Sequence, residues 1–139
     1  MRKIEQDMNY AIRNGIAWSQ GNTCITFDNQ GKPGCNTLVY LHGNLISAIS
    51  KDSITIYDGG YQSNTTKSRL NAILDEVIPG TSVIQRDFTW YIVYQDGTKS
   101  PFKEVNTIPI PDINSYSQST LAALSNTEWG KSHLEVITV

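Results

Sequence analysis

The stretch TLVYLHGNLISAISKDSITIY, residues 37–57, decides the fold. It holds three short runs, Thr37 to His42, Leu45 to Ser50 and Ser53 to Tyr57, parted by His42-Gly43-Asn44 and Lys51-Asp52. Short runs rich in β-branched and aromatic residues, bounded by turn formers, read as consecutive strands. These residues predict an antiparallel β-meander, and Cys24 to Phe27 adds a strand on its N-terminal side.

Helical periodicity flanks the meander. Ile4, Met8, Ala11 and Ile12 recur at helical spacing, with Arg2, Lys3, Glu5, Gln6 and Asp7 on the other face, so an amphipathic helix is expected over residues 3–14, ended by Gly15. After Asp58-Gly59-Gly60, the run Asn64 to Arg69 supplies capping residues, and Leu70, Ile73, Leu74 and Val77 follow at i, i+3, i+4 and i+7. They predict a second helix over residues 66–77, which Pro79-Gly80 stops. Two further strands, Ser82 to Arg86 and Phe88 to Tyr94, close at Gln95-Asp96-Gly97. Pro109 and Pro111 forbid a helix between Val105 and Ile113 and restrict that segment to an extended connection or a sheet edge. Gln118 to Leu124 can form a short helix, and His133 to Val139 a last strand that pairs with the sheet or with a second subunit. The expected architecture is a single α+β domain over residues 1–139. It has an antiparallel meander carrying two main helices, and residues 105–139 supply the extended, proline-containing segment, the short helix and the C-terminal strand.

The bulk numbers limit function. A chain of 139 residues, 39% hydrophobic and 17% charged, suits one folded domain. Eleven Lys and Arg against thirteen Asp and Glu leave a net charge of −2, which argues against a protein that coats duplex DNA. Its apolar runs are far shorter than the ~20 residues that span a bilayer, and no apolar signal segment follows Met1, so no membrane role and a cytoplasmic location are expected. Cys24, Cys35, His42 and His133 lack the short spacings of a zinc site and are read as packing or surface residues. Phosphate-loop, nucleophile-elbow, dinucleotide and metalloprotease motifs are absent, so neither enzymatic activity nor a cofactor is expected.

What remains is a set of groups suited to a small anion. Asn64 to Arg69 places hydroxyls, Lys67 and Arg69 in the first turns of a helix, where free N–H groups and the macrodipole favour negative charge. Hydroxyls there are also ordinary caps. Positive charge in a first turn opposes the dipole, however, and asks for a compensating anion. Tyr61 follows two glycines and Trp18 follows the first helix, so both stand where the chain leaves regular structure and either could stack on a base or pack against the core. Arg86 and Asp87 could contact a phosphate and a base, or pair with each other.

Three stretches, Ile4 to Arg13, Val39 to Ile46 (VYLHGNLI) and Thr65 to Ala72 (TTKSRLNA), resemble the first family of Thoeris anti-defence proteins. The resemblance spans roughly residues 1–94. Those are bacteriophage proteins that act in the host cytoplasm as sponges for the cyclic ADP-ribose isomers made by TIR-domain enzymes. It implies an uncleaved cyclic nucleotide ligand, with Trp18 and Tyr61 flanking its adenine, Asn71 hydrogen-bonding it, and Arg86 and Asp87 on its ribose-phosphate and base. It also implies a homodimer with pockets near the subunit interface, or a higher homo-oligomer with separate sites for CBASS cyclic oligonucleotides. Two other classes stand beside it: a protein–protein inhibitor of a host enzyme using exposed Tyr and Trp, and a small nucleic-acid-binding regulator using Lys67 and Arg69.

Overall fold

The computed structural model describes residues 1–28 and 36–111. The expected helix over 118–124, the strand over 133–139, and the residues Cys35 and His133 lie outside the described residues.

Helix α1 (Lys3–Asn14) is followed by strands β1 (Trp18–Gln20), β2 (Thr23–Asp28), β3 (Asn36–Leu41), β4 (Asn44–Ile49) and β5 (Ser53–Ile56). Helix α2 (Asn64–Val77) precedes β6 (Ser82–Arg86), β7 (Thr89–Val93), β8 (Lys99–Pro101) and β9 (Asn106–Pro109). The protein is an α+β domain whose strands form two antiparallel sheets. The meander β1-β2-β3-β4-β5 takes β9 at its edge, and β6-β7-β8 form a second, three-stranded sheet. Both helices are the expected ones, although α2 begins earlier than residue 66 because Ser63 caps it, its Oγ accepting from the Thr66 amide at 3.1 Å. Strands β1 and β8, at three residues each, are too short for an alternation pattern to reveal.

Turn chemistry sets the register of the meander. His42 and Gly43 both have positive φ, 53° and 78°, as a two-residue type I′ loop requires, and Leu41 pairs with Asn44 across it. Pro109 sits on β9, whose one strand neighbour among the described residues is β5.

The sheet buries one face under the helices. Cross-strand partners share a face, so Ile25, Val39, Ser47, Ile56 and Asn106 form one row across it, all of them buried. Trp18 pairs with Ile25 and extends this row, half-buried against the core. Two members of the row are polar. Asn106 is satisfied: its amide nitrogen donates to the carbonyls of Ile56 (3.1 Å) and Lys103 (2.8 Å), and its Oδ1 accepts from the Lys103 amide (2.7 Å). The Ser47 hydroxyl finds no partner among the described residues. Replacing it removes a buried polar group without losing a bond. Ser47→Ala is therefore expected to stabilise the protein by about 1 kcal/mol, read as a higher urea midpoint with an unchanged slope.

Candidate functional site

Two helices frame the candidate surfaces, and they run in parallel at a constant offset. Ser68 donates to Glu5 Oε2 at 2.6 Å, Asn9 Nδ2 donates to the Ala72 carbonyl at 2.9 Å, and Arg13 Nη1 pairs with Glu76 Oε1 at 3.0 Å. Each contact joins residues 63 apart, one rung per helical turn. Arg69 strengthens the first rung: its Nη1 reaches Glu5 Oε2 at 2.7 Å, Nε donates to Thr23 Oγ1 at 3.0 Å and Nη2 to Asn22 Oδ1 at 3.3 Å. Glu5 and Arg69 are only 2% and 3% exposed, so this is a buried ion pair, and each of the three guanidinium nitrogens donates a hydrogen bond within the chain. Burial pushes the Glu5 carboxyl upward, but hydrogen bonds from Ser68, Arg69 and the Arg2 amide outweigh it and hold the group below its ordinary range.

Asn71 is committed in a similar way. Its Nδ2 donates to the Val83 carbonyl at 3.0 Å and its Oδ1 accepts from the Val83 amide at 2.6 Å. The carboxamide thus imitates a peptide group and covers the outer edge of β6. Ser68 and Asn71 also line an open cleft of about 570 Å³ between α1, α2 and the loop into β6, together with Glu5, Asp75, Thr81 and Ser82. The cleft carries two carboxylates and no lysine or arginine side chain. No lysine or arginine side chain meets a phosphate there, whereas neutral hydrogen-bonding groups would fit.

The remaining expected site residues lie elsewhere. Tyr61 is 76% exposed in the loop before α2, whose first turn contains no acidic residue. Asp58 shapes this loop by accepting from the Gly60 amide at 2.8 Å. Gly59, at φ +70°, approaches Ile46 so closely that a Cβ would lie 3.2 Å from its Cγ2. Lys67 is half-buried on the first turn of α2 and makes no ion pair among the described residues. Trp18 belongs to the edge of the six-stranded sheet, whereas Arg86 and Asp87 are exposed at the β6–β7 turn of the other sheet. Of the seven residues expected to bind ligand, only Asn71 lines the large cleft. Tyr61 and Lys67 share the N-terminal end of α2.

Sequence reasoning placed Phe88 in a strand. It stands instead in the two-residue loop between β6 and β7, with φ 64° after Asp87 at φ 50°, and it is 92% exposed. No Asn-Gly or Gly-Gly pair announced that turn. Among the described residues, no cluster of three His, Cys, Asp or Glu side chains is placed to hold a metal, and no helix is long and apolar enough to cross a membrane.

The family model described as Kyanoviridae Gp96 protein matches residues 1–109. The chain belongs to that family. It is a bacteriophage protein. No curated protein and no solved structure matches it. The span shared with the Kyanoviridae Gp96 family runs from before α1 to the last residue of β9 and so takes in both helices and both sheets.

Two outcomes follow from these bonds. Asn71→Ala in this Kyanoviridae Gp96 protein strips both partners from Val83 and is expected to cost about 1–3 kcal/mol, seen in urea unfolding and as faster amide exchange at Val83. The ionised Glu5 contributes stability that is complete above the ordinary glutamate pKa and disappears as pH falls through its lowered value in the folded state. Unfolding titrations below pH ~4.5 should show a loss of stability that Glu5→Gln, less stable at neutral pH, shows to a smaller degree.

Proposed function

We propose that this phage protein sequesters a small cyclic nucleotide of the cyclic ADP-ribose type, intact, in the host cytoplasm, and so suppresses TIR-based Thoeris immunity. The observation that carries this reading is that Tyr61, an exposed aromatic, lies in the loop just before α2, while Lys67, in the helix's first turn, makes no ion pair among the described residues. A base can stack on the ring while a phosphate meets the ammonium and the positive end of the helix dipole. The residue similarities to the sponge proteins at Val39 to Ile46 and Thr65 to Ala72 support the same reading.

Arg69 and Asn71 enter it differently from Tyr61 and Lys67. Their polar atoms already bond to Glu5, Thr23 and Asn22, and to Val83. In this proposal they shape the ground on which the ligand rests. Trp18, Arg86 and Asp87 belong to two different sheets, and the reading takes their contribution to come through a pocket shared between subunits of a homodimer or larger homo-oligomer. No bond of the ligand is broken, so the protein is not an enzyme in this reading. Binding in the nanomolar range, roughly −12 kcal/mol, is the scale a sponge must reach.

The test incubates the purified protein with a panel of cyclic ADP-ribose isomers and cyclic dinucleotides, measures binding by calorimetry, and recovers bound ligand by heating. One isomer is expected to bind and to return unchanged. Tyr61→Ala should weaken binding by about 1–3 kcal/mol, with Lys67→Glu also weakening it and neither altering the unfolding midpoint much. No binding by any member of the panel defeats the proposal, and recovery of a hydrolysed product makes the protein an enzyme.

A further inference from the structure

Phe88 violates two rules at once. It occupies a left-handed backbone position at φ +64°, where a bulky side chain is strained and glycine would be free of cost, and it leaves 92% of its surface in water. Both features weigh on the isolated chain. Asp87, beside it at φ +50°, is a residue type that tolerates this conformation. The hairpin thus ends in an aromatic tip flanked by the exposed Arg86.

The other end of β7 carries a matching hollow. Ile78, Tyr94, Ile108, Pro109 and Pro111 form the apolar part of a cavity of about 270 Å³ whose wall also takes in Thr81, Gln95 and Asp96. Apolar cavities of about 150 Å³ accept benzene, so a phenyl ring fits here. Tip and hollow are separated by the run of chain from Phe88 to Tyr94, about 20 Å at ~3.3 Å per residue, so Phe88 cannot fill the cavity of its own chain. Charge also matches: Arg86 stands beside the tip, and Asp96, beside the hollow, has Oδ1 engaged by Thr98 but no hydrogen bond at Oδ2 among the described residues. A lipid surface fits less well, because the chain carries a net charge of −2.

We propose that Phe88 of one copy inserts into the cavity between Tyr94 and Ile108 of a second copy, with Arg86 meeting Asp96. The two surfaces differ, so repetition of the contact closes a ring or extends a chain. This contact needs no nucleotide ligand, although it uses Arg86, which the proposed function also places at a pocket shared between subunits.

The experiment compares molar masses by light scattering for the full chain, for Phe88→Ala, for Pro109→Glu, which places a charge at the cavity, and for an equimolar mixture of the two variants. The full chain is expected to associate, and each variant alone to show at least a tenfold weaker association. The mixture should form one-to-one dimers and nothing larger, because one variant keeps only the hollow and the other only the tip. Phe88→Gly should raise the melting temperature while abolishing the association. A benzoyl-phenylalanine at position 88 should crosslink between copies to peptides containing residues 94–96 or 106–111. A full chain that stays monomeric, an association indifferent to Phe88→Ala, a mixture that forms no dimer, or crosslinks confined to other surfaces overturns the proposal.

Discussion

The buried pairing of Glu5 with Arg69 is the contact on which the arrangement of the helices depends. It closes one end of a ladder whose further rungs, Asn9 to the Ala72 carbonyl and Arg13 to Glu76, hold α1 and α2 side by side and parallel. Parallel helices set like dipole ends next to each other, an arrangement that gains nothing from the dipoles themselves. Charge placement counters this. Glu5 lies in the first turn of α1 and Arg13 in its last, each favourable to α1, and each faces an opposite charge on α2.

That arrangement accounts for the cation that looked out of place near the start of α2. An arginine there opposes the helix dipole and calls for an anion. Glu5 of the same chain is that anion, and Thr23 and Asn22 each accept one further hydrogen bond from the guanidinium. A buried pair of this kind contributes modestly to net stability, because desolvation consumes most of the attraction, but removing one partner strands a charge. The pair therefore specifies how α1, α2 and the β1–β2 turn meet more than it adds to their cohesion. Lys67, two residues earlier, has no such partner among the described residues, and so the ligand-facing role in the proposed function rests on Lys67 together with Tyr61.

The same contrast separates the two tight hairpins. His42-Gly43 places a glycine in one of its left-handed positions, and the turn joins strands deep in the meander. Asp87-Phe88 adopts positive φ at both positions without any glycine and points an aromatic ring into water. One loop obeys local preference and serves the sheet. The other departs from it, and departures of that kind gather at places where a chain meets something else.

Periodicity alone determined much of the architecture: the helical spacing of Ile4, Met8 and Ala11 and of Leu70, Ile73, Leu74 and Val77, and the turn-punctuated strands of residues 37–57, all depend on neighbours close in sequence. Pro109 and Pro111 likewise confined their segment to an extended path, and Asn106–Pro109 is an edge strand. The division of the strands into two sheets was decided in three dimensions, because α2 packs against both and separates β5 from β6. So were the engagement of Arg69 by Glu5, 64 residues away, and of the Val83 backbone by Asn71. A polar side chain reads the same in a sequence whether it faces a ligand or a backbone edge of its own chain, since local spacing encodes which face of an element is apolar but not which distant polar group will satisfy it.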